Sequence, residues 1–405
     1  MSERVAADDD QARRADYLAE VTSTLYPPVE QTGETRYIAV PDAKRPRVLV
    51  PAASRRLAAA ALRRYARPAS RLARFKRDAA VVALHSGVDQ ILLRDRLSLP
   101  AGSADINTYL RNRLGTEIHL CIHIGPARAN RKPVLQLLNC DNRTVGFAKL
   151  GTNPLTRALV GDETSALREL ADTNLRLVRI PAVLHSGTWR ENTVLVQEPL
   201  PGWRRPAPTD PVRLAQAMRE LAQCRGVTTD RLIDSTYAVR LRERLDVLAA
   251  RGTPDGATLI DAADRVLARH WRLAMRFGAW HGDWTPWNMS MGADRVLLWD
   301  FERFGVEVPF GFDALHYALQ RDIVSRGGDP TTAVLSLLAD ASRLLARFDV
   351  DEDVSRVTVL LYLVDLAARY MTDRQAEAGA VLGALGRWLL PTLLRHVVAE
   401  GGFVL

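Results

Sequence analysis

The sequence predicts an α+β protein of two lobes, a small lobe of antiparallel strands and a larger helical lobe, with an additional N-terminal α/β segment. Three observations predict it. Between residues 116 and 150 three short apolar runs succeed one another across tight loops, which is the pattern of a strand meander. A Pro-rich crossing, Glu198–Gly202 (EPLPG), then separates that region from the remainder of the chain. Beyond it the chain reads as helical almost to its end, interrupted by one polar loop and the strand Val296–Asp300. Strands, a linker and then helices describe two packed lobes with a cleft at the linker.

Taken in order, residues 1–33 read as a helix over Gln11–Leu25 that stops at Pro27-Pro28. Tyr37–Val40 and Arg47–Val50 form a strand pair. Residues 54–84 carry apolar residues at helical spacing with a break at Pro68. Gln90–Leu99 is strand-like and Asp105–Leu114 a short helix. Glu117–Ile124 (EIHLCIHI), Pro133–Leu138 and Thr144–Leu150 are the three strands of the meander. Asn153-Pro154 supplies an N-cap with proline at the first helical position, opening a helix to about Thr173. Strands around Ala182–His185 and Thr193–Gln197 complete the small lobe. The division implied is 1–110, an Arg-rich extension; 111–198, the small lobe; and 199–405, the helical lobe.

The chain has 405 residues, 47% hydrophobic and 25% charged, as globular proteins do. The longest apolar run, Val357–Val364, ends at Asp365 and reads as a buried helix, so no transmembrane segment is expected. Cys121, Cys140 and Cys224 are too scattered for a disulfide framework or a zinc site, which fits a cytoplasmic location. Net charge is +8, and Lys44 to Arg77 holds ten Arg and two Lys with no Asp or Glu. That stretch suits either contact with an anionic surface or a solvated Arg-rich helix face, and the second is the preferred reading. No nucleic-acid module is recognisable.

The polar loop carries the chemistry. WHGDWTPWNM, residues 280–289, gathers His281, Asp283 and Asn288 in a stretch that Gly282 and Pro286 keep out of regular structure. Asp283 suits acceptance of a proton from a hydroxyl nucleophile. Asn288 and Asp300, at the end of VLLWD, are oxygen donors suited to Mg²⁺ shared with phosphates. His281 suits a role in fixing the loop backbone.

These residues resemble the aminoglycoside phosphotransferase and choline kinase-type family, which has the protein-kinase fold. The likeness rests on His281-Gly282-Asp283, four residues and Asn288, then Asp300-Phe301-Glu302. The resemblance implies that Asp283 is the catalytic base, that Asn288 and Asp300 hold metal, and that Asp313 braces the loop from the next helix. It further implies that Lys149, in VGFAKL, grips nucleotide phosphates and that a helix Glu orients it. Glu163 fits that place better than Glu169, because Leu167 comes after it in the family's Glu-x-x-x-Leu pattern. The adenine would meet the Glu198 carbonyl and the Leu200 amide, since Pro199 has no N–H.

Two features depart from the pattern. The loop GPARANRK has one glycine, so Arg128, Arg131 and Lys132 are the expected phosphate contacts in place of a glycine-rich cradle. Trp284 and Trp287 flank Asp283 and either line the acceptor pocket or pack the loop. The function implied is ATP- and Mg²⁺-dependent phosphorylation of a hydroxyl on a small molecule. The alternative is a pseudokinase-like nucleotide-binding scaffold. The acidic run Asp349–Asp353 suits a polycationic acceptor or, by preference, a solvated helix start.

Overall fold

The computed structural model describes residues 15–28, 31–64, 71–86, 95–126, 128–202, 207–378 and 380–400. Positions 11–14, 65–70 and 90–94 of the expected elements lie outside these. The described residues divide into two compact units, running over Met1–Thr164 with Pro181–Trp203 and over Ser165–Ile180 with Arg204–Leu405.

The first unit is built on one antiparallel sheet. Its strands are β1 (Gln31–Val40), β2 (Val48–Pro51), β3 (Arg96–Gly102), β4 (His119–His123), β5 (Val134–Leu138) and β6 (Thr144–Gly151). After β7 (Val178–Arg179), which pairs in the second unit, β8 (Val183–Trp189) and β9 (Asn192–Gln197) complete it. The order is β3-β1-β2-β4-β5-β6-β9-β8. The expected boundary at residue 110 falls in the helix Ile106–Leu114, and strands on both sides of it share this sheet. Val48 and Leu49 of β2 pair with His123 and Ile122 of β4, and Tyr37 of β1 pairs with Leu97 of β3. Strands β1, β2 and β3 thus share one sheet with β4, β5 and β6.

Strand alternation sorts the side chains onto two faces. On one, Tyr37, Ala39, Leu49, Leu120, Ile122, Ala148 and Leu150 share a core with Ile106 and Leu110. On the other, Ile38, Val40, Val48, Val50 and Cys121 meet Leu57, Leu62, Val81 and Leu84. The latter four come from α1 (Arg55–Arg64) and α2 (Arg71–Ser86), while Arg55, Arg56 and Arg63 of α1 are exposed. Ile106 and Leu110 belong to α3 (Ile106–Leu114), whose N-cap Asp105 accepts the Thr108 amide at 2.7 Å. The helix α4 (Pro154–Ala171) comes after β6, and Asn153 caps it by accepting the Thr156 amide at 2.9 Å.

The second unit contains α5 (Pro211–Gln223), β10 (Thr228–Arg231), α6 (Thr236–Ala249), α7 (Pro254–His270), β11 (Ala274–Trp280), β12 (Met289–Met291) and β13 (Val296–Leu298). Then come β14 (Gly305–Pro309), α8 (Phe312–Gln320), α9 (Pro330–Ala339), α10 (Ala341–Leu345), α11 (Glu352–Thr372) and α12 (Leu389–Glu400). Its strands form two three-stranded sheets, β10-β11-β14 and β12-β13-β7. The first of these departs from the helical reading of this region. Met275 and Phe277 of β11 alternate into the core, but Gly278 and Ala279 come next, and the short runs lack the β-branched enrichment that marks a strand. Val357–Ala368 of α11 are buried without interruption, as the apolar run anticipated, and pack against Leu241, Leu259, Val266, Phe312 and Leu393. Among the described residues no helix is long and apolar enough to cross a membrane. The three cysteines are free.

Candidate active site

In the first unit Lys149 lies on β6 between β5 and β9, paired with Val134 and Leu195. Its neighbours Ala148 and Leu150 enter the core, so strand alternation turns Lys149 to the other face. There its Nζ lies 2.6 Å from both carboxylate oxygens of Glu163 on α4. Glu163 is fully buried and the Lys149 side chain only 7% exposed. A charge pair this far from water needs both partners, since either alone would be a desolvated ion. The rival, Glu169, pairs instead with Arg225 at 2.7 Å.

The Glu198–Gly202 crossing is anchored through the Glu198 amide, which donates to the Ala182 carbonyl at 2.8 Å, while the Leu200 carbonyl accepts the Gly202 amide at 2.8 Å. Arg128 is exposed. Arg131 lies over the Tyr17 ring, with its guanidinium carbon 3.6 Å from the ring centre. That contact reaches back to the N-terminal helical residues and was not foreseen for a phosphate ligand.

In the second unit, β11 delivers the polar loop. Gly282 adopts φ +81°, and a Cβ there would stand 2.2 Å from the Arg303 carbonyl oxygen, so only glycine fits. Asp313, in the first turn of α8, accepts the His281 amide at 2.8 Å and the Gly282 amide at 3.2 Å. Arg369 on α11 donates to the Gly282 carbonyl. The turn is thus held through its backbone from two helices. His281 adds a third tie: its Nε2 donates to the Trp299 carbonyl at 3.1 Å, while its Nδ1 accepts the Asp283 amide at 3.1 Å. Both bonds require the neutral ring protonated at Nε2.

The carboxylate of Asp283 is the convergence point. Asn288 donates its amide to Oδ2 at 2.8 Å and to the Asp283 carbonyl at 3.0 Å. His316 lies 2.9 Å from Oδ1 through its Nε2. The β12–β13 hairpin then sets the remaining oxygen donor. Met289 pairs with Leu298, and the Trp299 amide donates to the Asn288 carbonyl at 3.1 Å. Asn288 and Asp300 therefore stand at the same end of one hairpin. Asp300 takes φ +73°, a left-handed conformation costly for a residue with a side chain.

Burial pushes the Asp283 carboxyl up, but the His316 hydrogen bond and the nearby Arg369 charge outweigh it and hold it below the usual carboxylate range. Burial drives His281 down to about 4 and also lowers His316, against the pull of Asp283 on each. Burial raises Asp313 to about 7, opposed by its two backbone donors. The arrangement presents an ionised, hydrogen-bonded carboxylate with a 31% exposed side chain, beside two oxygen donors. It is suited to accepting a proton.

The loop is packed by Trp284, which is fully buried and donates from its indole to Met289 Sδ at 3.4 Å, whereas Trp287 is 37% exposed. In the acidic run, Asp349 pairs with Arg219, and Asp351 is the N-cap position of α11. Three residues were missed in the sequence: His316, Tyr362 and Arg369. The signal for His316 was its place one turn after Asp313 on the same helix face. Tyr362 and Arg369, two turns apart on α11, lie far from any motif.

Comparison with known proteins adds a match of residues 147–318 to the model of the phosphotransferase enzyme family, APH. No curated protein matches the sequence significantly. Among solved structures, a thermostable mutant of aminoglycoside phosphotransferase APH(4)-Ia, complexed with ADP and hygromycin B, is 11% identical over 73% of this chain and 99% of its own, with TM-score 0.48. A choline/ethanolamine kinase family protein from Mesorhizobium loti is 19% identical over 66% and 88%, with TM-score 0.43. Residues 147–318, the part of the chain that matches the phosphotransferase enzyme family, carry the lysine–glutamate pair, the His-Gly-Asp loop and the second aspartate.

Proposed function

We propose that the chain transfers the γ-phosphate of ATP, in the presence of Mg²⁺, to a hydroxyl of a small molecule. The observation that carries this reading is the carboxylate of Asp283, kept ionised while donors from Asn288 and His316 orient it. Asp283 accepts the hydroxyl proton as the acceptor oxygen bonds to the γ-phosphorus. The bond from that phosphorus to the β,γ-bridging oxygen breaks, and ADP leaves with the electron pair.

The donor set fits a nucleotide and a hard cation. The amide nitrogen of Asn288 is engaged by Asp283, so the atom it offers a cation is its oxygen. Asp300 adds a carboxylate, and such oxygen donors suit Mg²⁺ held together with phosphates. Bound Mg²⁺ would supply charge neutralisation of the phosphates. Lys149, oriented by Glu163, is the phosphate contact, and Glu198 and Leu200 supply backbone contacts for the adenine.

Asp283→Ala tests this. ADP release should be surveyed with amino sugars, aminoglycosides, polyols and choline-like alcohols, and ATP binding measured by calorimetry. The expected result is acceptor-dependent ADP release that falls by about 10²-fold or more in the variant, with ATP affinity retained. Turnover close to that of the unaltered chain would remove Asp283 from the base role.

A further inference from the structure

His316 is fully enclosed, at 1% exposure, on the α8 face that also carries Asp313 one turn earlier. The two residues act on the same loop differently: Asp313 holds the backbone of His281 and Gly282, and His316 reaches the Asp283 carboxylate itself. The far side of the His316 ring is also engaged, because its Nδ1 lies 3.0 Å from the Tyr362 hydroxyl on α11.

The chemistry of the three groups fixes the direction of both hydrogen bonds. An ionised carboxylate has no proton to give, so Nε2 of His316 must donate to Asp283. A neutral ring with its proton on Nε2 has only a lone pair on Nδ1, so the Tyr362 hydroxyl must donate to it. The chain runs one way, from tyrosine O–H to imidazole to carboxylate. Tyr362 is buried and its ring sits edge-on to His316 with centroids 6.1 Å apart, so the ring cannot turn freely. The charged groups near the pair are Arg369 and Asp365, both on α11. Burial beside Arg369 favours the neutral ring.

We propose that His316, held in its Nε2–H tautomer by the Asp283 carboxylate and braced through Nδ1 by the Tyr362 hydroxyl, is a positioning residue that aims that carboxylate at the acceptor hydroxyl. The proposal rests on Asp283 being the base. Asn288 holds Oδ2 and His316 holds Oδ1, so the carboxylate plane is set from both sides. Loss of the Oδ1 donor frees that plane to rotate about its bond to Cβ. Tyr362 acts one step further out: its hydroxyl, donating to Nδ1, fixes the ring's rotation so that the Nε2 proton meets Oδ1.

Two measurements on the full chain test it. The first is a ¹⁵N-histidine spectrum at pH 7, assigned with His316→Gln. The expected pattern is a neutral His316 ring protonated at Nε2, with the Nδ1 resonance moving in Tyr362→Phe as its hydrogen bond is lost. A ring protonated at Nδ1, or a charged ring, overturns the proposal. This readout needs no substrate, so it stands or falls separately from the phosphotransfer reading. The second uses whichever acceptor supports ADP release. His316→Leu should lower kcat by roughly 10- to 100-fold with KM for ATP unchanged, because ATP binding does not involve the aim of the base. His316→Gln places an amide donor near the Nε2 position and should recover part of the loss. Equal activity of the leucine and glutamine variants, or a fall in ATP affinity matching the fall in kcat, shows a role in packing only.

Discussion

Lys149 and Glu163 illustrate how much a single buried pair constrains the site. Their contact at 2.6 Å, away from solvent, makes each charge tolerable only through the other. Lys149→Met alone and Glu163→Met alone should each destabilise the chain by about 3–5 kcal/mol. The double replacement removes both charges and should cost clearly less than the sum. Urea unfolding of the three variants checks this; additive losses would contradict a coupled buried pair. His281 offers a second test at the same scale. Its ring is neutral in the fold, with its pKa held near 4 by burial, whereas the unfolded value is about 6.5. Between those values protons bind only the unfolded chain. The His281 contribution to stability is therefore complete above about pH 6.5 and is lost as pH falls toward 4, by about 3 kcal/mol in all. The His281 ring resonances should stay flat down to pH 5, and a midpoint near 6.5 would show that the ring is not desolvated. The residues that form these contacts were legible in the sequence because spacing alone places them: His281, Asp283, Asn288 and Asp300 lie within one short segment. His316 and Tyr362 were not, because their contact joins positions 46 apart in the chain and nothing local marks it.

Elements differ in how openly they declare themselves. The strands β4, β5 and β6 and the helix α4 lie within a few residues of where alternation, turns and the Asn-Pro cap placed them. Their partners on the N-terminal side were harder. β1 reaches β3 across some sixty residues, and β2 closes on β4 across more than seventy, so a strand can be seen while its place in a sheet cannot. The β10-β11-β14 sheet was hidden for another reason: its strands are short and separated by helices, and their apolar residues suit either conformation. The shared sheet makes a prediction about the first 110 residues. Removing them takes away β1, β2, β3, α1, α2 and most of α3, and leaves β4 without its β2 neighbour. It also uncovers Cys121 and Leu138, which lie against Leu57, Leu62 and Val81. A strand edge and an apolar face exposed together favour aggregation. The fragment 111–405 should be insoluble or lack a cooperative unfolding transition. A soluble fragment with a cooperative transition would show instead that the later strands stand alone.

Across the whole molecule the segment that matches the phosphotransferase family model, residues 147–318, accounts for less than half the chain. The flanking residues are nonetheless built into the same two units: the N-terminal strands complete the sheet that carries Lys149, and α11 supplies Tyr362 and Arg369 to the Asp283 loop. The proposed phosphotransfer therefore depends on parts of the chain with no motif of their own. The most direct measurement is ³¹P NMR of ATP, Mg²⁺ and the acceptor pool with the purified chain. The account predicts a new phosphomonoester resonance growing as ADP appears, and its loss in Asp283→Ala. ADP that accumulates with inorganic phosphate alone, or a phosphomonoester formed equally well by Asp283→Ala, would contradict it.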